Sequence, residues 1–126
     1  MTLLLDTAAF LWWVSDDAKL SRRATGAISE RPCLLSVASC WEIAIKAGLG
    51  KLDIPRPLDR FLQEQLEVNG FSLLPISLEH TAAVADLPFH HRDPFDRLIA
   101  AQARLDALTV VSPDPVFRRY GVKRIW

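Results

Sequence analysis

The chain reads as an α/β domain, a three-layer sandwich around a central, mostly parallel sheet of four to five strands. Two observations predict this. Short apolar runs (LLL at 3–5, CLL at 33–35, FSLLPI at 71–76, LTVV at 108–111) alternate with longer stretches of helical periodicity. Strands that alternate with helices form a parallel sheet covered on both faces. Crossovers between such strands are right-handed, so successive strands point the same way. The 126 residues suit one domain spanning 1–126, and half of them are hydrophobic, enough for a core.

Each element has a local reason. LLLD opens the chain as a short buried strand, and TAAFLWWV follows as a short helix with Phe10, Trp13 and Val14 at helical spacing. Ser21 is a plausible N-cap for a helix running to about Ile28. Pro32 breaks the chain before the second strand, CLLS. A helix from about Val37 to Ala47 is stopped by Gly48 and Gly50. After the loop DIPRP, LDRFLQEQLEVNG is a helix closed by Asn69-Gly70, and FSLLPI is the third strand. SLEHTAAVADL is a short helix capped by Ser77. PFHHRDP is a loop, and Pro94 suits the first turn of a long helix through about Asp106. LTVV is the fourth strand, SPDP a turn, and KRIW a fifth, edge strand.

Four acids stand at the points where this arrangement would gather ligands. Asp6 ends the first strand, Glu42 lies in the helix after the second, Asp96 is in the first turn of the long helix, and Asp114 follows the fourth strand. In open α/β sheets ligands bind at the carboxyl ends of the strands. Carboxylates gathered there repel one another and raise one another's pKa, so they persist where something cationic binds. Each acid also has a local reading. Asp6 suits an N-cap, and Asp114, between two prolines, suits a turn. Asp93 fits the cap ahead of Pro94, which leaves Asp96 favoured by the helix dipole. Ser39-x-x-Glu42 matches a capping box, although Ser36 is the more natural cap. Glu42 is then either one half of an ion pair with Lys46, four residues on, or a ligand tuned by it.

The composition excludes several classes. Fifteen basic and fifteen acidic residues give zero net charge, so bulk charge does not mark a nucleic-acid binder. The tail FRRYGVKRIW carries Arg118, Arg119, Lys123 and Arg124 without an acid. It is compatible with a charged edge strand or with an RNA-facing patch. Cys33 and Cys40 form no disulfide framework, and no signal peptide or membrane span is legible, which makes the cytoplasm the default compartment. Adjacent His90 and His91 lack zinc spacing, and the tryptophans read as core and interface. Glycine-rich phosphate loops and the nucleophile elbow are absent.

With these residues in view, the chain resembles the PIN domains of VapC toxins from bacterial and archaeal toxin–antitoxin pairs. The resemblance runs over nearly the whole chain and rests on LLLDTAAFLWW, SVASCWEIAIKAGLGKL, LPFHHRDPFDRLIAAQA and VVSPDPVFRRYGV. It implies a PIN-like fold and an acidic site of Asp6, Glu42, Asp96 and Asp114, with Asp93 a neighbour and Ser112 close by. Ala8 departs from the family, where many relatives carry His, Ser or Asn. The implied activity is a metal-dependent endoribonuclease, the toxin of such a pair, that hydrolyses RNA with metal-activated water. All-oxygen ligands select Mg²⁺ or Mn²⁺. Asp6 and Asp96 are expected to hold the principal ion, with Asp114 and Glu42 ligating directly or through water. Lys46 and Arg97 are candidates for phosphate contact, and Ser112 is grouped with them at the substrate. The resemblance further implies a homodimer and a small antitoxin that blocks the site, with Trp12 or Trp13 suited to a groove for it. The competing readings are a non-catalytic RNA-binding or scaffold module and a DNA-directed metal nuclease.

Overall fold

A computed structural model describes residues 1–126. The elements run β1 (Leu3–Leu5), α1 (Thr7–Val14), α2 (Arg22–Glu30), β2 (Cys33–Ser36), α3 (Val37–Gly48), α4 (Leu58–Asn69), β3 (Ser72–Leu74), α5 (Leu78–Val84), α6 (Pro94–Leu105), β4 (Thr109–Val111), α7 (Val116–Arg119) and β5 (Arg124–Ile125). The sheet has the order β3-β2-β1-β4-β5, and every neighbouring pair is parallel. This is the expected α/β sandwich, with all five strands parallel.

β1 is central and is covered on both faces, and an uninterrupted leucine run is what such a strand requires. Side chains alternate across a strand. Leu3 and Leu5 join one core with Phe10, Ala24, Ile28, Ile43 and Leu62, whereas Leu4 joins the other with Ile99, Ala100, Val110 and Phe117. The first core lies under α1, α2 and α4, and the second under α6 and α7. Leu5 is in register with Leu35 on one side and Val111 on the other. The residues that follow, Asp6, Ser36 and Ser112, therefore leave the sheet side by side.

The expected signals operate where a cap or turn is built. Ser36, rather than Ser39, caps α3, its hydroxyl accepting from the Ala38 amide at 3.0 Å. Asp93 caps α6 by accepting from the Phe95 and Asp96 amides, with Pro94 in the first turn. Gly70 ends α4 in the left-handed region at φ 68°. Two elements differ from expectation. β3 is confined to Ser72–Leu74, and the one-turn helix α7 follows the SPDP turn. Four residues are too few to show a period, so α7 leaves no pattern to read.

One buried polar link ties the layers together. Ser36 Oγ donates to Gln102 Oε1 at 2.6 Å, and Gln102 Nε2 donates to the Pro75 carbonyl at 3.2 Å. Gln102 has no solvent exposure, so these bonds offset a desolvation that would otherwise be costly. They hold α6 against the ends of β2 and β3.

Phe10 fills the first core with no exposure, its ring 6.4 Å from that of Phe71. Phe10→Ala is expected to cost about 3–5 kcal/mol through lost burial and a residual cavity. Urea unfolding that shows a lower midpoint at unchanged slope would bear this out; an unchanged midpoint would contradict it.

Candidate functional site

At the carboxyl edge of the sheet a cleft of about 370 Å³ is lined by Asp6, Glu42, Asp93, Asp96 and Asp114, with Thr7, Lys46 and Trp12 at its walls. The topology brings together all four acids singled out in the sequence. β1 delivers Asp6, α3 Glu42, α6 Asp96 and the β4–α7 turn Asp114.

Local folding fixes each acid. Asp6 Oδ1 accepts from the Ala9 amide at 2.8 Å, so Asp6 is both the N-cap of α1 and a member of the acid cluster. Glu42 is buried, and both of its oxygens are engaged: Oε1 accepts from Thr7 Oγ1 at 2.6 Å and Oε2 from Lys46 Nζ at 2.7 Å. The two readings of Glu42 are thus joined, because the ion pair lies inside the acidic cleft. It also means that a lysine is locked among these carboxylates. Asp114 Oδ1 accepts from the Val116 amide at 3.0 Å and its own amide donates to Ser112 Oγ at 3.0 Å. The Arg124 guanidinium secures this turn from outside, donating to the carbonyls of Ser112 at 2.9 Å and Pro113 at 2.8 Å.

His91 is the residue that sequence reasoning undervalued. Its Nε2 lies 2.9 Å from Asp96 Oδ2 and 3.6 Å from Asp114 Oδ2, between two of the acids. His90 turns away and packs against Tyr120 at a centroid distance of 5.2 Å. The possible ligand atoms that lie within 4.8 Å of one another belong to His91, Asp93 and Asp96; Asp6, Glu42 and Asp114 line the same cleft at wider spacing. The His91 imidazole thus stands between Asp96 and Asp114. Thr7 was also missed. Its signal was its place directly after Asp6, which aims its hydroxyl at α3.

Two expected substrate contacts are corrected. Arg97 does not face the cleft: it is 5% exposed, and its guanidinium donates to the carbonyls of Pro88, Val84 and Leu87 and to the Tyr120 hydroxyl. The Phe89 ring covers it at 4.1 Å. A cation with this many buried partners anchors the α5–α6 loop. Ser112 has no exposure either and serves the Asp114 turn and the Asp6 carboxyl beside it. Lys46 stays in the cleft with its side chain 45% exposed. Of the tryptophans, Trp13 is committed to the interior, its indole N–H donating to Asn69 Oδ1 at 2.9 Å, while Trp12 reaches the rim.

The electrostatics follow from this crowding. Burial pushes Asp6 up to about 7, reinforced by the charges of Asp96 and Glu42 and opposed by the Ser112 hydroxyl and the Ala9 amide. Burial and then Asp93 push Asp96 up to about 6, against the pull of His91. Lys46 is raised by its bond to Glu42.

The sequence matches the PIN domain family over residues 3–123. The chain belongs to the PIN domain family. Ribonuclease VapC22 of Mycobacterium tuberculosis is 31% identical over 121 residues, which cover 94% of this chain and 92% of that protein. Ribonuclease VapC16 of the same organism is 45% identical over 49 residues, a stretch covering 39% of this chain and only 35% of that protein. Among solved structures, VapBC2 from Rickettsia felis bound to a DNA fragment from its promoter superposes with a TM-score of 0.67 at 16% identity, covering 98% of this chain and 97% of that one. The PIN fold expected from the resemblance is therefore the fold observed, and the acid cluster sits at the carboxyl edge of its sheet.

In this PIN domain two acids hold protons in the folded state above the pH at which they lose them unfolded. The native protein then binds more protons than the unfolded chain, so stability falls as pH rises. The fall begins above the ordinary value of 3.8 and is complete near the folded values of about 6 and 7. For Asp6 alone it amounts to something on the order of 4 kcal/mol. Without divalent ions, the thermal midpoint is expected to be lower at pH 8 than at pH 5.5, and Asp6→Asn is expected to flatten that difference. A midpoint that rises across this interval in the parent chain would contradict the assignment.

Proposed function

We propose that this PIN domain is a Mg²⁺- or Mn²⁺-dependent endoribonuclease and the toxin of a toxin–antitoxin pair. One observation carries the reading: carboxyls from four different elements are gathered at the sheet edge, with two of them, Asp6 and Asp96, driven toward neutrality by burial and by neighbouring carboxylates. A divalent cation relieves that repulsion, and a donor set dominated by carboxylate oxygen suits a hard ion. Asp6, Asp96 and Asp114 would hold it. When bound, such an ion supplies a water of lowered pKa and neutralises charge developing on a phosphoryl oxygen.

The remaining roles belong to the chain's own groups. Glu42, with both oxygens engaged, positions Thr7 and directs the Lys46 ammonium along the cleft wall. Lys46 is the cation placed to meet a backbone phosphate. Asp114, on its rigid turn, is the base that orients attacking water. The likeness to ribonucleases named VapC supports RNA as substrate, and the likeness in fold to a solved toxin–antitoxin complex from Klebsiella pneumoniae supports an antitoxin as partner.

A homodimer is part of the reading. Trp41 is 60% exposed and packs edge-on against Phe95 at 5.3 Å. A shallow hollow of about 290 Å³ beside them is lined by Val84, Pro94, Phe95 and Leu98. Exposed apolar patches of this kind mark association surfaces. α3 and α6 carry Glu42 and Asp96 as well as this patch, so self-association there would bring two acidic clefts near one another. No helix is long and apolar enough to cross a membrane.

Asp6→Asn and Asp96→Asn are each expected to reduce Mg²⁺-dependent cleavage of total RNA by about 10²–10³-fold while the circular dichroism spectrum stays folded, the scale of loss typical of removing a major electrostatic contributor. Cleavage at parental rate, or cleavage that persists in EDTA, would overturn the mechanism. Millimolar Mg²⁺ is expected to raise the thermal midpoint of the parent chain and not that of the Asn variants. Trp41→Glu is expected to shift sedimentation from dimer to monomer; a dimer of undiminished stability would remove Trp41 from the interface.

A further inference from the structure

The cleft that holds the acids is not the largest on the molecule. A cleft of about 610 Å³ opens at the opposite, amino edge of the sheet, between α2 and β5. Arg22, Arg23, Arg31, Arg118 and Lys123 line it against a single acid, Glu30. With Arg124, also on the wall, that makes six cations against one carboxylate, an excess of five. The chain as a whole has zero net charge, and the five named first are a third of its fifteen basic residues. Their clustering is therefore a local feature rather than bulk basicity. None of the five is in an ion pair, since the molecule's salt bridges join Lys46 to Glu42, His80 to Asp106, and His91 to Asp96 and Asp114. Arg124, also on the cleft wall, is spoken for by its carbonyl partners at the Asp114 turn. Unpaired cations lining one concavity repel each other and attract a polyanion.

The two clefts are connected along one edge of the domain. Trp12 lines the acidic cleft, and its ring lies 5.8 Å from that of Trp126. Trp126 directly follows Ile125, which lines the basic cleft. The Lys19 ammonium lies 5.8 Å from the Trp12 ring centroid. Half-buried aromatic rings with cations beside them make a stacking platform for single-stranded nucleic acid. Met1 borders the basic cleft and Asp6 the acidic one, so the span is ~17 Å at about 3.3 Å per extended residue. At roughly 3.4 Å per stacked nucleotide this is a run of about five nucleotides.

We propose that substrate RNA leaving the carboxylate cleft passes over the Trp12–Trp126 pair and lays its phosphate backbone in the basic cleft between α2 and β5. The proposal rests on the ribonuclease reading and adds a second contact, remote from the scissile bond. The remote cations attract a strand that the acidic cleft alone would repel. Substrates too short to reach the second cleft forgo that attraction.

The test uses the full chain carrying Arg22→Glu, Arg23→Glu and Lys123→Glu, all at exposed positions. In the Asp6→Asn background without divalent ions, anisotropy of a labelled 20-nucleotide single-stranded RNA is expected to show at least tenfold weaker binding. The slope of log affinity against log salt should fall by about 2, from roughly 0.7 for each of three phosphate contacts. In the active chain with Mg²⁺, the ratio of kcat/KM on the 20-mer to that on a trinucleotide, which is too short to span the two clefts, is expected to fall at least tenfold. An unchanged affinity and slope would overturn the proposal, as would equal losses on both lengths or a loss confined to duplex DNA. A triple Ala variant at the same positions gives the same readings if charge reversal perturbs folding. Should the parent chain cleave no RNA, the ribonuclease reading fails by itself, and the anisotropy arm still decides whether the basic cleft holds RNA.

Discussion

The architecture hangs on a three-residue strand covered on both faces. Leu3–Leu5 pairs with β2 and β4 in the same register, and that register determines which residues emerge together at the carboxyl edge. A slip by one residue would exchange the two cores, moving Leu4 to the side of Phe10 and Leu3 and Leu5 to the side of Ile99. It would also carry Asp6 out of line with Ser36 and Ser112. The hydrophobic packing that holds β1 in place is thus what aligns the acidic edge, and the energy for gathering like charges comes from leucine burial rather than from the charges themselves.

Around that edge the polar contacts form a scaffold of their own. Gln102 links α6 to Ser36 beneath the cleft, Thr7 and Lys46 hold Glu42, and Arg124 holds the Asp114 turn. Arg97 anchors the loop that carries His91. Most of these groups face inward from helices or strands, so the side chains that face the cleft are held by others that never reach it.

Much of this was legible in the chain and some was not, for identifiable reasons. Strand runs, the Asp93-Pro94 helix start and the Asn69-Gly70 stop are encoded within a few residues, and they appear as read, save that β3 is shorter than its run. The convergence of Asp6, Glu42, Asp96 and Asp114 follows from parallel strands alone. What failed were inferences that depend on which way a side chain turns. Arg97 sits one residue from Asp96, about 100° around the helix, and that rotation carries it from the cleft into the core. Ser112 precedes Asp114 by two residues but is buried under it. His91 approaches Asp96 because the loop folds back, which no periodicity records. Glu42 and Lys46 were read as a possible pair and are one; that they form it inside the acidic cleft depends on how α3 packs.

The double duty of Asp6 has a consequence for how the chain can vary. The same oxygen that begins α1 belongs to a carboxyl in the acid cluster. A residue lacking that oxygen would fray the helix that covers the first core, while the acid in place sets like charges against one another. Fold and chemistry therefore pull this one position in opposite directions at neutral pH. The helix start cannot drift along the chain without taking the cluster apart, and a replacement that removes the acid must still offer a side-chain oxygen, as asparagine does, to keep the cap. Position 6 thus answers to two requirements at once, a capping oxygen and an acid, and asparagine meets only the first.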